Sequence, residues 1–151
     1  MTLHVRASVQ ADVDHLATNL RPEDTQEVLA SHGSVKVALQ EGFDHSEECW
    51  TIVVTETNEL AGMYGIVGID DMTGMPWLLT APPLKKGWRQ FARESLPWIN
   101  RLNKKYPVLT NACDAEYTEA VNWLKYIGCV FIKRHDTWGV GNKTFLEFVR
   151  I

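Results

Sequence analysis

Hydrophobic and polar positions alternate with two different periods in the first part of the chain. A period of two over Leu3–Ala7 predicts a first strand. Beyond it, apolar residues recur at helical spacing, and Pro22 and Gly33 are typical of the start and the end of a helix. Ser8 is expected to cap the first helix and Gly42 to end the third. The three predicted helices span residues 12–20, 22–32 and 34–41.

The middle and the end of the chain mix strands with two further helices. The run 75–80 is apolar on both faces, which predicts a strand in the centre of a sheet. A long amphipathic helix follows it, and Pro97 is expected to kink this helix. The predicted strands are 50–54, 60–69, 75–80, 107–111, 129–133 and 145–150; the predicted helices are 84–105 and 115–127; a loop is predicted at 136–142.

The resulting order is β-α-α-α-β-β-β-α-β-α-β-β. Strands that alternate with helices pair in parallel, so the second half of the chain predicts parallel pairing inside a mixed sheet. Helices should cover both faces of this sheet. The chain has 151 residues, no repeats and no linker, and we expect one domain over residues 1–151.

Composition adds a limit on the partners of this domain. The hydrophobic fraction is 45% and the formal net charge is -4. A chain of this length buries enough surface to fold without a disulfide or a metal ion. The mildly acidic balance gives no electrostatic reason to expect nucleic acid or an anionic membrane as partner. The first ten residues lack the pattern of a secretory signal, and the apolar run 60–69 is too short to cross a membrane, so a cytoplasmic location is expected.

The cysteines and histidines indicate no metal site. Three cysteines at wide spacing do not form a disulfide framework, and buried free thiols are expected. His45 and Cys49 are four residues apart, but no second pair of ligands lies near them in the sequence.

Six tryptophans are the unusual feature of the composition. Five of them lie on predicted strands or on the apolar faces of predicted helices, where they are expected to fill the core. Trp138 lies in the predicted loop and is the exception.

Two segments resemble the GNAT fold, the Gcn5-related N-acetyltransferases. One runs from Ala120 to Phe131 and is similar to the GNAT helix that ends in a Leu-Gly-Phe-like turn before a strand. The other is Val5–Ala7 followed by Asp12 and Val13. More narrowly, the chain resembles short phage-encoded GNAT-like proteins, among them the internal virion protein A family of podophages. The segments that carry this narrower resemblance are 19–24, 63–67, 76–80, 106–111 and 123–128.

The resemblance implies a three-layer α/β/α sandwich with a mixed, centrally splayed sheet and a site for acetyl-CoA. The main chain of Leu78, Leu79 and Thr80 would hold the pantetheine arm. The pyrophosphate would bind at the start of the next helix, where the family has Arg/Gln-x-x-Gly-x-Gly/Ala and where this chain has residues 84–89. The cofactor residues that this alignment gives there are Lys85, Lys86, Gly87, Trp88 and Arg89, of which only Gly87 matches the motif. A solvated basic first turn is the alternative interpretation of the three cations.

Catalytic residues are less well defined by the resemblance. Leu124 stands where many GNAT enzymes have a tyrosine that acts as general acid, and Tyr117 stands at the position of a family asparagine. Each residue of an α-helix advances by about 100°, so Tyr126 lies about 200° around the helix from Leu124. It therefore cannot replace that acid. By location, the candidate bases are Asp70, Asp71 and Glu116, and each could equally be a turn or cap carboxylate. The resemblance makes Trp138 a candidate contact to the substrate.

Two functions follow from these observations. The first is an acyl-CoA-dependent N-acetyltransferase with a degenerate pyrophosphate loop, which would bind acyl-CoA and an amine acceptor. The second is a non-catalytic GNAT-fold protein that acts in phage virion assembly or binds a phage or host protein. A phage-encoded chain would then lie in the host cytoplasm or in the virion.

Overall fold

A computed structural model describes residues 2–151, and it contains seven strands, five α-helices and one 3₁₀ helix. The strands are β1 (Leu3–Ala7), β2 (Glu48–Val54), β3 (Leu60–Gly68), β4 (Thr73–Thr80), β5 (Val108–Asp114), β6 (Val130–Trp138) and β7 (Lys143–Arg150). The α-helices are α1 (Gln10–Leu16), α2 (Pro22–His32), α3 (Val35–His45), α4 (Trp88–Lys105) and α5 (Thr118–Tyr126), and the 3₁₀ helix is Pro82–Gly87. The order of strands and helices is the predicted one.

All seven strands form one mixed sheet in the order β1-β2-β3-β4-β5-β7-β6. Every neighbouring pair is antiparallel except β4 and β5, which are parallel. The parallel pairing predicted across α4 is therefore confirmed. The pairing predicted across α5 is wrong, because β7 returns from β6 as a hairpin and occupies the place next to β5.

The sheet divides the core into two faces. Met63 and Leu79 pack with residues of α1, α2 and α3 on one face. Tyr64 packs with Phe91 of α4 on the other face, to which α5 contributes Leu124. Met63 and Tyr64 are neighbours on β3, and adjacent residues of a strand point to opposite faces of the sheet. The sheet therefore lies between two layers of helices. The three-layer α/β/α sandwich is thus confirmed.

The ends of two helices follow their sequence signals. Pro22 lies in the first turn of α2, where a main-chain N–H has no acceptor within the helix. The missing N–H of proline therefore removes no hydrogen bond. Gly33 ends this helix in the left-handed conformation, with φ of 80°. Gly128 after α5 does the same with φ of 92°.

Several predicted boundaries were wrong, among them the following four. Val9, not Ser8, is the N-cap of α1, because the Asp12 carboxylate accepts the N–H of Val9 and takes over the capping role. Helix α3 continues through Gly42, where the Trp77 ring lies so close that a Cβ would come within 2.8 Å of it. The turn after β4 is a 3₁₀ helix, so α4 begins at Trp88. The predicted loop 136–142 is shorter, since β6 extends to residue 138.

Candidate functional site

The sheet opens between β4 and β5. These strands pair only through Thr73 with Val108 and Gly74 with Leu109, at the beginning of each strand. The Asn111 side chain still bridges the gap by donating a 2.9 Å hydrogen bond to the carbonyl of Pro76. Beyond this point a cavity of about 710 Å³ occupies the space between the strands and is lined by residues of helices from both faces. Its volume lies in the range of small-molecule sites in proteins.

One main-chain position of β4 is directed into this gap without a strand partner. Alternate residues of a strand direct their N–H and C=O groups to the same side, and Pro76, Leu78 and Thr80 form the set that faces β5. The carbonyl of Pro76 accepts from Asn111, while the N–H of Thr80 donates to Asp24 and its carbonyl accepts the N–H of Arg21. Leu78 therefore presents both a donor and an acceptor to the cavity.

Asp24 joins α2 to the end of β4 and to the start of α5. Its Oδ2 accepts hydrogen bonds from the hydroxyl of Thr80 at 2.5 Å and from the phenol of Tyr117 at 2.8 Å. Asp24 is 2% exposed, and burial raises the pKa of its carboxyl group despite these hydrogen bonds. Burial and the nearby Asp24 likewise raise the pKa of Tyr117. The phenol therefore stays protonated and donates a hydrogen bond to the carboxylate.

Glu27 lies one turn after Asp24 on the same side of α2, and it lines the cavity. Its Oε2 accepts the N–H of Asp114 at the end of β5, at 2.9 Å. Burial raises the pKa of Glu27 to about 8, and repulsion by Asp24 and Asp114 adds to the rise. The hydrogen bond from the Asp114 N–H and, to a smaller extent, attraction by Lys143 act in the opposite direction. A carboxyl group that titrates near neutral pH is suited to proton transfer.

Tryptophan side chains form much of the cavity wall. On the α4 and α5 face these are Trp88, Trp98 and Trp123, and on the α2 and α3 face they are Trp77 and Trp138. All five are only partly buried. Trp77, Trp88, Trp98 and Trp123 pack against the core, as predicted, and they also contribute to the cavity wall. Trp50 is the one tryptophan outside this wall, and its indole donates to Glu48 at 2.9 Å.

Among the predicted cofactor residues, Leu78, Leu79, Thr80 and Trp88 line the cavity. Lys85 and Lys86 lie in the 3₁₀ helix and Arg89 lies in the first turn of α4. All three side chains are exposed and lie outside the wall.

Gly87 is buried, and a Cβ there would come within 2.8 Å of the side chain of Leu3. This packing accounts for the glycine without reference to a phosphate. The Arg89 side chain, being exposed, does not fill the gap.

The three predicted bases lie outside the cavity wall. Asp70 accepts the N–H groups of Met72 and Thr73, as a turn carboxylate does, and Asp71 is exposed in the same turn. The Glu116 side chain is 79% exposed and contacts Lys143.

Trp138, the predicted substrate contact, does line the cavity, where its ring stacks on Phe145 at 5.8 Å between centroids. Leu124 is buried in the wall, while Tyr126 is exposed and lies outside it.

Sequence reasoning missed Asp24, Glu27 and Tyr117. Acidic residues at the start of a helix are ordinarily explained by the helix dipole. A signal was present, since Asp24 is four residues before Val28 and so shares the apolar face of the helix. A carboxylate on an apolar face requires a partner, which here is provided by Thr80 and Tyr117.

Residues 2–151 contain no group of three or more His, Cys, Asp or Glu side chains placed to hold a metal ion. Over the same range, no helix is both long enough and apolar enough to span a membrane.

Comparison with known proteins rests on structure alone. No protein-family model matches the chain, and no curated protein sequence matches it significantly. A GNAT-family acetyltransferase from Bacillus anthracis superimposes with a TM-score of 0.72 at 12% identity, over 100% of this chain and 95% of that one.

Two other solved structures are also similar. A GNAT acetyltransferase from Elizabethkingia anophelis with acetyl-CoA bound has a TM-score of 0.64 at 13% identity, over 97% of this chain and 96% of that one. A spermidine N-acetyltransferase chimera that includes the Vibrio cholerae enzyme has a TM-score of 0.65 at 15% identity, over 100% and 96%. The chain therefore has the fold of the GNAT acetyltransferases.

Proposed function

We propose that this chain is an acyl-CoA-dependent N-acetyltransferase. The observation that carries the proposal is the gap between β4 and β5, into which Leu78 directs a main-chain N–H and C=O. An extended chain of amide groups can pair with such an edge in the manner of an added strand. The pantetheine arm of an acyl-CoA is a molecule of this kind, and solved structures with this fold include one with acetyl-CoA bound.

The residues at the gap fit such a molecule. The cavity is open along β4, and the Leu78 main chain supplies a donor and an acceptor. Lys85, Lys86 and Arg89 would stand near the phosphate groups, with side chains exposed and free to approach them. Bound acyl-CoA would supply an activated thioester. The N–H of Leu78 is the donor available in the gap for its carbonyl oxygen.

Glu27 is the group that would accept the proton of the amine. It lines the same cavity, and its pKa of about 8 lets it hold or release a proton near neutral pH. It replaces Asp70, Asp71 and Glu116 in this role, since those three lie outside the wall. A thiol has an ordinary pKa of about 8.5, so the leaving thiolate needs no strong acid.

Asp24, Thr80 and Tyr117 would position the site. Their hydrogen bonds fix the first turn of α2 against the end of β4, one turn before Glu27. This contact keeps the Glu27 carboxylate beside the gap. An acyl transfer can gain most of its rate from such positioning of the amine and the thioester.

Binding of acetyl-CoA tests the proposal. Thermal shift and calorimetry should show stabilisation that grows with acetyl-CoA concentration. The variant Lys85→Glu/Lys86→Glu/Arg89→Glu should bind about tenfold or more weakly, since three charges near phosphate are reversed.

The matched control is Arg93→Glu/Lys104→Glu/Lys133→Glu, which makes the same change in net charge at exposed sites outside the cavity wall. It should bind like the parent chain. Absence of a shift at millimolar acetyl-CoA would exclude the proposal.

The second function, in phage virion assembly or host-protein binding, is supported by the sequence resemblance alone. No feature of the site geometry favours it over the acetyltransferase. Co-purification with phage particles or head proteins is its test. The acetyltransferase function is compatible with the cytoplasmic location expected from the sequence.

A further inference from the structure

The part of the cavity between α2, α3 and the β6–β7 hairpin is acidic and aromatic. Its carboxylates are Asp24, Glu27 and Glu41, and its aromatic rings are Trp77 and Trp138. Glu41 is exposed at the rim, whereas Asp24 is buried and already satisfied by Thr80 and Tyr117. Glu27 and Glu41 are therefore the two carboxylates available to a ligand in this part.

Arg150 is the one arginine or lysine among the described wall residues, and its hydrogen bonds to Asn103 and Asn100 of α4 place it on the opposite face. Each of its guanidinium nitrogens already donates to an oxygen, namely the carbonyl of Ile127 and the side chains of Asn103 and Asn100. The other basic side chains of the wall are the imidazoles of His32 and His45. Lys143 attracts Glu27 from outside the wall, where its ammonium is already paired with Asp114 and Glu116.

Charge and shape together define the ligand that fits this part. A cationic amino group is attracted by the carboxylates and by the faces of tryptophan rings. An acidic group on the same ligand would be repelled and would find no counter-ion. Trp138, stacked on Phe145, offers a fixed apolar surface to the rest of the ligand.

We infer that the acceptor substrate is a primary amine with an apolar body and no acidic group. Its amino group lies toward Glu27, and its body lies against Trp77 and Trp138. This inference rests on the proposed acetyltransferase function and specifies its second substrate. It excludes α-amino acids and other acidic amines as good acceptors.

A matched pair of ligands tests the inference directly. Phenethylamine and L-phenylalanine share a ring and an amino group and differ in the carboxylate. Calorimetry at pH 8.5 on the chain without acetyl-CoA should show phenethylamine binding about tenfold or more tightly, the effect of one unbalanced charge. Equal or tighter binding of L-phenylalanine, or no binding of either at millimolar concentration, would overturn the inference.

Substitutions test whether the residues of this wall cause the preference for phenethylamine over L-phenylalanine. Glu41→Arg should reduce it to about threefold or less, because it adds a cation at the rim. Glu59→Arg makes the same charge change on an exposed residue outside the wall and should leave the preference as it is. Trp138→Ala should weaken phenethylamine binding about fivefold, while Tyr126→Ala, an exposed ring outside this wall, should not. A preference that persists unchanged in both Glu41→Arg and Glu27→Gln would overturn the inference.

Binding of acetyl-CoA is measured separately on the same preparations. A chain that prefers phenethylamine but does not bind acetyl-CoA would contradict the proposed function and leave the ligand class intact. A chain that binds acetyl-CoA and acetylates L-phenylalanine as fast as phenethylamine would contradict the ligand class alone.

Discussion

The phenol of Tyr117 donates a 2.8 Å hydrogen bond to the carboxylate of Asp24, although 93 residues separate them in the chain. Both side chains are buried, at 8% and 2% exposure. The bond joins the start of α5 to the first turn of α2 across the end of the β4–β5 gap. Together with the ion pair of Arg21 with Glu119 at 2.7 Å, it links the two sides of the site.

Removing this hydrogen bond should destabilise the fold. Tyr117→Phe keeps the ring but leaves the buried carboxylate with one donor fewer, and a loss of about 1.5–3 kcal/mol in the free energy of unfolding is expected. Chemical denaturation measures it. Tyr126→Phe, at an exposed ring on the same helix, is the control and should change stability by less than about 0.5 kcal/mol. Equal stability of the two variants would show that the Asp24 contact contributes nothing.

Acetylation should depend on pH through Glu27. The unprotonated carboxylate accepts the amine proton, so kcat/KM should rise as pH increases through about 8. Glu27→Gln should lower kcat/KM by about 100-fold or more and remove this limb of the profile. A variant that keeps both the rate and the limb would exclude Glu27 as the base.

The same rise in pH should lower the stability of the fold through Glu27. Because its pKa is raised from 4.5 to about 8, the folded chain holds a proton that the unfolded chain releases over this range. The free energy of unfolding should therefore decrease as pH rises from about 4.5 to about 8, through the contribution of Glu27. Glu27→Gln should match the parent at pH 4 and exceed it at pH 9 by roughly 1 kcal/mol or more. Identical pH profiles of stability would contradict this expectation.

Glu48 should make the fold sensitive to acid. Its carboxylate accepts hydrogen bonds from Arg101, Trp50 and Trp98, and these lower its pKa to about 2. The stability that it contributes is complete above about pH 4.5 and is lost as pH falls toward 2. Its side chain is 26% exposed, so solvent screening reduces the contribution to about 1–2 kcal/mol. Acid titration of Glu48→Gln should show a smaller loss between these pH values than the parent, whereas Glu59→Gln should behave like the parent.

Gly42→Ala should destabilise α3 although alanine favours helices. The new Cβ would come within 2.8 Å of the Trp77 ring, which must then move. Overpacking of this kind costs about 1–3 kcal/mol, against the roughly 1 kcal/mol that alanine gains over glycine in a helix. Thermal unfolding and the near-UV signal of the tryptophans measure the effect. A more stable variant would show that the ring shifts without cost.

The general plan of the fold could be predicted from the sequence, but the site could not. Hydrophobic spacing located the strands because the apolar positions of each strand mark the face that it buries. The role of Glu27 depends instead on the N–H of Asp114, 87 residues away, and on β5 extending past its predicted end at residue 111. No local pattern contains that contact.

The tryptophans show the same limit. Trp88 and Trp123 lie on apolar helix faces, as predicted, and hydrophobic spacing cannot distinguish a filled core from the wall of a cavity. The gap that makes the difference arises because β4 and β5 pair over two residues and then diverge. That divergence is a property of the whole sheet.

The strands of the β1–β4 half of the sheet and those of the β5–β7 half are hydrogen-bonded directly at one end only. The links are the two residue pairs between β4 and β5 and the side-chain bond from Asn111 to the carbonyl of Pro76. Across the open end the two halves are joined through side chains, since Asp24 accepts from Thr80 of β4 and from Tyr117 after β5. A molecule seated along Leu78 would add a main-chain link there. Its binding should slow hydrogen exchange in both halves at once, far beyond the residues that it touches.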